Sequence, residues 1–111
     1  MKIGLDYDGT YTADQFLWNA FIGLAKSRGH EVIIYTARNE KLDNNDDLKE
    51  LCKHIRVVFC DGVAKKHIAL MEAQHDAGHK VDIWIDDKPE SVVQNSVATL
   101  EQLVEWRKVR V

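Results

Sequence analysis

The residues in this 111-residue chain that are best suited to chemistry are two aspartates one residue apart, in the sequence DYDGT. Asp6 and Asp8 end an apolar run and precede a glycine, where a strand would give way to a turn. Two carboxylates this close repel each other unless a cation lies between them. Hard oxygen ligands favour Mg²⁺, which in turn binds phosphate oxygens. Taken alone, the pair fits a simple turn at Asp-Gly equally well, so the magnesium and phosphoryl site depends on the residues that follow the later strands.

Two later apolar runs end in residues that would complete such a site. Thr36 and Ala37 follow the second run, where a hydroxyl and backbone N–H groups would hold phosphate oxygens. Asp86 and Asp87 follow the fourth run and add two further carboxylates. One aspartate of such a set can attack phosphorus to form an aspartyl-phosphate, and a second can protonate the leaving oxygen. The combination predicts phosphoryl-transfer chemistry.

The lysine that such a site needs comes after the third run, where Lys65 and Lys66 both stand at the start of a predicted helix. A lysine at a helix N-terminus would meet the remaining phosphate charge. Counted from Lys66, Ala69 and Leu70 have the spacing of a buried helix face. This spacing slightly favours Lys66, and both lysines stay candidates.

The elements that must position these residues are four short strands. Apolar runs rich in Ile and Val occur at 2–5, 31–35, 55–59 and 81–85, as expected for strands covered on both faces. Helical patterns fill the gaps between them. This alternation predicts a three-layer Rossmann-like α/β fold, with a parallel sheet of four to five strands and helices on both faces. In such sheets ligands bind beyond the carboxyl ends of the strands.

The first two helices are predicted from apolar periodicity and capping residues. The first would bury a stripe at helical spacing, with Thr12 and Gln15 as a capping box at its start. That stripe consists of Leu17, Ala20, Phe21, Leu24 and Ala25. Asp47 and Glu50 predict a second box, which would begin a helix over about 47–54.

The remaining pattern extends to the end of the sequence. A third helix is predicted over about 64–77, a turn of helix from Pro89, a fifth strand at 96–99 and a final helix over 100–108. All of these elements fit one domain over residues 1–111, which is a common domain length.

The ordered motifs resemble those of the haloacid dehalogenase superfamily of phosphohydrolases. The matching residues lie in DYDGT, YTAR, KKH and IDDKP. The resemblance implies that Asp6 is the nucleophile and a magnesium ligand, and that Asp8 is the general acid/base, with its backbone carbonyl also on the metal. It implies that Thr36 and one lysine hold the phosphoryl group. Asp86 and Asp87 would complete the metal site, with Asp87 as the direct ligand and Asp86 acting through water.

The same resemblance bears on the substrate. Many relatives insert a cap domain that encloses small substrates, but the segment between Asp8 and Thr36 holds little more than one helix. The chain is similar to capless members, whose open sites serve large substrates or are closed by a neighbouring subunit, as in a homo-oligomer. We expect a magnesium-dependent phosphatase with a large or nucleotide-like phosphorylated substrate. Arg38 is a candidate substrate contact, and an arginine paired at the surface is an equal alternative.

Two other functions fit parts of the sequence. A signalling receiver domain also uses carboxylates, a hydroxyl and a lysine around Mg²⁺, and would be phosphorylated on Asp61 with Lys88 as its lysine. The order of the residues disfavours it, because a receiver places the hydroxyl after the fourth strand, where this chain has Asp86 and Asp87. A catalytically silent scaffold is disfavoured because every motif position is chemically intact.

Composition limits which other classes of protein the chain could belong to. The chain has 15 basic and 18 acidic residues, for a net charge of −3. This argues mildly against a large nucleic-acid or membrane surface, but leaves a nucleic-acid substrate open. No apolar run approaches the roughly 20 residues needed to cross a bilayer. Cys52 and Cys60 predict reduced thiols and, with no signal-peptide pattern, the expected location is cytoplasmic.

Overall fold

Four parallel strands form the sheet of this protein, in a computed structural model that describes residues 1–75 and 80–96. They are β1 (Lys2–Asp6), β2 (Glu31–Thr36), β3 (Val57–Phe59) and β4 (Ile83–Ile85). Their order is β3-β2-β1-β4, and every pair is parallel. The predicted α/β class and parallel sheet are therefore confirmed. This is the order of the first four Rossmann strands, in which the winding reverses between β1 and β4.

Helices fill the connections between the strands. Helix α1 (Gln15–Ser27) joins β1 to β2, and a 3₁₀ turn (Asp46–Leu48) leads into α2 (Lys49–Cys52) before β3. Helix α3 (Lys65–His75) follows β3, and α4 (Glu90–Val93) follows β4. The predicted fifth strand and final helix lie outside the described residues. Across the part of the chain that the structure describes, every helix is too short or too polar to span a membrane.

The core is organised around β2, whose side chains alternate between two clusters. Val32 and Ile34 belong to a cluster against which residues of α1 and α2 pack. Ile33 and Tyr35 belong to a second cluster, which includes Ala69 of α3. Since successive side chains of a strand point to opposite faces, the two clusters lie on opposite sides of β2. Apolar contacts on both sides thus hold β2 in place, which positions its carboxyl end.

The buried face of α1 differs from the predicted stripe. Trp18 and Phe21 pack against the first cluster together with the buried Ala25. Leu17 and Leu24 were predicted to be buried but are 52% and 64% exposed. Both stripes have helical spacing, so periodicity alone does not choose between them. Trp18 and Phe21 pack edge to face, with ring centres 5.7 Å apart, and Phe21 and Ala25 belong to both stripes.

Neither predicted capping box forms. Asp14 caps α1, since its carboxylate accepts the N–H of Leu17 at 3.0 Å, whereas Thr12 accepts the N–H of Gly9 at 2.9 Å. No side-chain hydrogen bond caps the 3₁₀ turn or α2, and the carboxylate of Asp47 binds elsewhere. Polar residues that are close in sequence compete for one cap, and local sequence does not decide the outcome.

Gly4 provides a test of how β1 packs on its neighbours. A Cβ atom at this position would lie 2.6 Å from Cε3 of Trp84. Gly4→Ala should therefore lower the free energy of unfolding by about 1–3 kcal/mol through overpacking, as measured by urea denaturation. Gly23→Ala is the matched control, because no atom beyond its chain neighbours and the backbone of its own helix lies within 4 Å of its Cβ position. It should raise the free energy of unfolding by about 0.5–1 kcal/mol. Wild-type stability in Gly4→Ala would contradict the packing of Trp84 on β1.

Candidate functional site

Four charged side chains converge where β1 and β4 end. Asp6 closes β1, Asp86 and Asp87 follow β4, and Lys65 is the first residue of α3. One oxygen from each of the three carboxylates can be chosen so that all lie within 4.8 Å of one another. Asp6 and Lys65 are buried. The cluster occupies the point between β1 and β4 where the winding reverses, which is the expected binding crevice of such a sheet.

Lys65 is the cation of this cluster. Its Nζ donates to Oδ1 of Asp6 at 2.6 Å and to Oδ2 of Asp86 at 2.5 Å. Ser91 also donates to Oδ2 of Asp86, at 2.9 Å. These contacts tie the start of α3 and the segment after β4 to the end of β1.

Lys66, which the helical spacing slightly favoured as the site lysine, points away from the cluster. Its side chain is exposed, and so is Leu70, which the spacing placed on the buried face. The buried face of α3 instead holds Lys65 and Ala69, four residues apart. A lysine can line a buried helix face when its stem is covered and its ammonium reaches carboxylates. The preference for Lys66 was therefore wrong.

Lys65 compensates only part of the negative charge of the cluster. The pKa of Asp6 is raised to about 6, because burial and the neighbouring Asp87 and Asp86 raise it by more than Lys65 lowers it. The hydrogen bond with Asp6 lowers the pKa of Asp87. Below about pH 6, a proton on Asp6 thus relieves its repulsion with Asp87. A divalent cation would take the place of this proton, and a donor set made only of oxygens fits Mg²⁺.

The turn after β1 fits tightly against Asp87. The hydroxyl of Thr10 lies 3.0 Å from Oδ2 of Asp6 and 3.1 Å from Oδ1 of Asp87, and it accepts the Asp87 N–H at 3.0 Å. Gly9 has a φ of +86°, and a Cβ there would lie 2.6 Å from Oδ2 of Asp87. Glycine therefore suits both the backbone conformation and the close contact. Sequence reasoning did not assign Thr10 to the site, although its place in DYDGT was a usable signal.

The segment predicted to bind phosphate is held by the turn that follows β3. Backbone N–H groups of residues 60–62 donate to the carbonyls of residues 36–38 at 2.8–3.2 Å. Thr36 is buried at the end of β2. Ala37 and Lys65 both line a cleft of about 390 Å³ beside the carboxylate cluster. The structure therefore brings Thr36, Ala37 and Lys65, but not Lys66, to the same edge of the sheet as the carboxylates.

Asp8 lies outside the carboxylate cluster. Its two carboxylate oxygens accept hydrogen bonds from Nε and Nη2 of Arg38, at 2.8 and 2.7 Å. Arg38 also contacts Asp47, which sequence reasoning missed because its pattern suggested a helix cap. The predicted substrate contact of Arg38 is thus replaced in this structure by contacts within the chain. The roles of Asp8 as acid and base and as a backbone metal ligand stay predictions.

Comparison of the chain with protein-family models, with curated proteins and with solved structures gave no match. The resemblance of its motifs to the haloacid dehalogenase superfamily therefore stays a prediction. What supports a function is the set of residues and their geometry.

The two adjacent lysines offer a matched pair of variants. Lys65→Met should lower the free energy of unfolding at pH 7 by about 3–5 kcal/mol, because it leaves Asp6 and Asp86 without their buried cation. Lys66→Met removes an exposed charge and should change stability by no more than about 0.5 kcal/mol. Urea denaturation of both variants checks this. The reverse order of stabilities would contradict the placement of Lys65 in the cluster.

The pKa of Asp6 predicts how the stability of the metal-free protein changes with pH. Its folded pKa of about 6 lies above the ordinary 3.8, so the folded state binds more protons between these values. The free energy of unfolding should then fall as pH rises from about 4 to about 6, by up to about 3 kcal/mol. The lowered pKa of Asp87 affects the free energy of unfolding only at pH values below this range. Denaturation in the presence of a chelator measures the effect, and an unchanged slope in Asp6→Asn would contradict it.

Proposed function

We propose that this protein is a magnesium-dependent phosphatase of the haloacid dehalogenase type, which hydrolyses phosphomonoesters through an aspartyl-phosphate on Asp6. The observation that carries the proposal is the convergence of Asp6, Lys65, Asp86 and Asp87 at the crevice between β1 and β4. These residues come from three separate motifs, and each motif was assigned to this chemistry from its residue types. Their meeting in one cluster supports a shared role.

The ligand set for the metal follows from which oxygens are already used. Asp86 accepts three hydrogen bonds, from Lys65 and Ser91 on Oδ2 and from the Lys88 N–H on Oδ1. Asp6 accepts two, from Lys65 and Thr10, so Asp6 and Asp87 are the better candidates for direct ligands. Asp86 would then act through water, and the backbone carbonyl of Asp8 would add a further oxygen. When bound, Mg²⁺ supplies positive charge against the phosphoryl oxygens.

The first chemical step transfers the phosphoryl group to the protein. A carboxylate oxygen of Asp6 forms a bond to phosphorus while the bond from phosphorus to the ester oxygen breaks. The proton of the Asp8 carboxyl group moves to the leaving oxygen, which departs as an alcohol. Lys65, the Thr36 hydroxyl and the Ala37 backbone would bind the phosphoryl oxygens through this step.

The second step returns the protein to its starting state. Asp8, now a carboxylate, takes a proton from a water molecule whose oxygen attacks phosphorus. The bond between Asp6 and phosphorus breaks, and inorganic phosphate leaves. The bidentate contact of Arg38 belongs to the carboxylate form of Asp8, which is the form that this step requires.

An open site supports a large or nucleotide-like substrate. Within residues 1–75, the connections after β1 and β2 hold only helix α1 and the short helical segment that ends in α2. Neither connection contains a folded unit that would enclose a small substrate. The end of a phosphorylated polymer or a nucleotide could reach the crevice, although the net charge of −3 makes a polynucleotide less favourable.

The placement of Asp61 weighs against a receiver function. Asp61 follows β3, which stands at one end of the strand order in the described residues and does not neighbour β1. Receiver domains have the order 2-1-3-4-5, which places their third strand beside the first. Asp61 is also exposed and has a φ of +51° in a turn. It does not belong to the carboxylate cluster around Lys65.

Hydrolysis of 4-nitrophenyl phosphate tests the proposal. We expect turnover that requires Mg²⁺ and falls by about 10³-fold or more in Asp6→Asn, which removes the nucleophile. Asp61→Asn is the matched control and should keep turnover within about twofold of wild type. Turnover that survives Asp6→Asn would overturn the proposal, and loss in Asp61→Asn alone would favour a receiver.

A second measurement does not depend on the identity of the substrate. Beryllium fluoride with Mg²⁺ mimics a phosphoryl group on an aspartate, and its binding raises the melting temperature of a protein that holds it. The wild type should be stabilised by this mixture, and Asp6→Asn should not. A wild type that neither turns over the ester nor responds to beryllium fluoride is not a phosphatase of this kind.

A further inference from the structure

The guanidinium group of Arg38 is fully occupied by the chain itself. Its five N–H groups have five acceptors, which are both oxygens of Asp8, both oxygens of Asp47 and the carbonyl of Asn44. The distances run from 2.7 to 3.1 Å. Since a guanidinium has five donors, none is left for a phosphate group in this arrangement. Arg38 therefore binds Asp8 and not a phosphate group, and the position of Asp8 depends on the residues that hold Arg38.

Asp47 is itself fixed from the side of the core. The hydroxyl of Tyr7 donates to Oδ2 of Asp47 at 3.1 Å. The Tyr7 ring is buried, stacks on Tyr11 with ring centres 5.5 Å apart, and lies 5.1 Å from Cζ of Arg38. Burial and the neighbouring Asp47 raise the pKa of Tyr7 to about 12, so its hydroxyl stays a donor. A rigid aromatic surface thus supports both Asp47 and Arg38.

The loop that carries Asp47 is also ordered by its own hydrogen bonds. Nδ2 of Asn45 lies 3.1 Å from three carbonyl oxygens of the loop. The backbone N–H of Asn39 donates to Asp43 at 2.6 Å. Leu48, the residue after Asp47, belongs to the first core cluster and is fully buried. The hydrogen bonds of Asn39 and Asn45 thus fix the chain before Asp47, and the buried Leu48 fixes it after Asp47.

From this geometry we infer that Asp47 is a positioning residue, which fixes Arg38 so that Arg38 holds the carboxylate of Asp8 at the mouth of the site. The inference rests on the proposed function, in which Asp8 transfers the proton. Both contacts with Asp47 and the contact with Asn44 hold the guanidinium independently of Asp8. Asp47 and Asn44 therefore set the position of the Arg38 guanidinium toward Asp8.

The kinetic test compares two esters that differ in their need for a proton. 4-Nitrophenolate leaves readily without one, whereas the leaving group of phenyl phosphate depends on a general acid. Asp47→Asn should lower kcat/KM for phenyl phosphate by about tenfold or more, and for 4-nitrophenyl phosphate by less than about threefold. Asp46→Asn is the matched control, because Asp46 pairs with Lys49 on the surface, and it should change neither value. An equal loss on both esters would overturn the inference.

A double-mutant cycle then asks whether Asp47 acts through Asp8. Asp8→Asn should show the same selective loss on phenyl phosphate. Adding Asp47→Asn to that variant should lower kcat/KM by less than about twofold more, because the acid has already been removed. A further tenfold loss would mean that Asp47 acts by another route and would overturn the inference.

A third measurement reads the position of Arg38 without turnover. The Nε–H of Arg38 donates to Asp8, and its hydrogen exchange can be followed by ¹⁵N NMR after assignment with Arg38→Lys. Asp47→Asn should speed this exchange at least about tenfold, and Asp46→Asn should leave it unchanged. Unchanged exchange in Asp47→Asn would overturn the inference whatever the activity.

The outcomes separate the inference from the proposed function. A wild type without magnesium-dependent turnover and without a beryllium fluoride response overturns the proposed function, and with it the catalytic role of Asp47. Turnover in the wild type with no selective loss in Asp47→Asn overturns the inference alone.

Discussion

The ammonium of Lys65 lies between the carboxylates of Asp6 and Asp86, and the rest of the site depends on this contact. Burying a charge is costly unless its partners satisfy it, so the contact forms only when β1, β4 and the start of α3 are all in place. It therefore links three elements that are far apart in sequence. Asp87, Thr10 and the turn after β1 are arranged around it.

The turn after β1 separates two charge networks. On its inner side the acids outnumber the single ammonium of Lys65, and this excess of negative charge is what a metal ion would neutralise. On its outer side the acids Asp8 and Asp47 share one arginine, and four N–H groups of Arg38 donate to their four carboxylate oxygens. The spacing of Asp6 and Asp8 allows this division, because one residue lies between them and the turn directs them differently. One network suits holding a metal and a phosphoryl group, and the other suits holding a proton-transfer residue in place.

Much of the sheet and of the inner network could be predicted from local sequence. Short apolar runs rich in Ile and Val mark the strands, and the polar residues that end them are the site residues. Parallel strands bring their carboxyl ends to one edge, so residues at the ends of different strands were expected to meet. Asp6, Asp86 and Asp87 do meet there. Thr36 and Ala37 lie at the same edge, as the end of β2 requires.

The amino-acid sequence by itself thus determined the element types, the parallel sheet and the acidic cluster, because these follow from runs of neighbouring residues. Three features were decided only by the tertiary structure. Lys65 rather than Lys66 enters the site, Trp18 rather than Leu17 faces the sheet, and Asp47 binds Arg38 rather than capping a helix. In each case two alternatives satisfy the same local pattern. Contacts with residues distant in sequence choose between them, and a local pattern carries no information about those contacts.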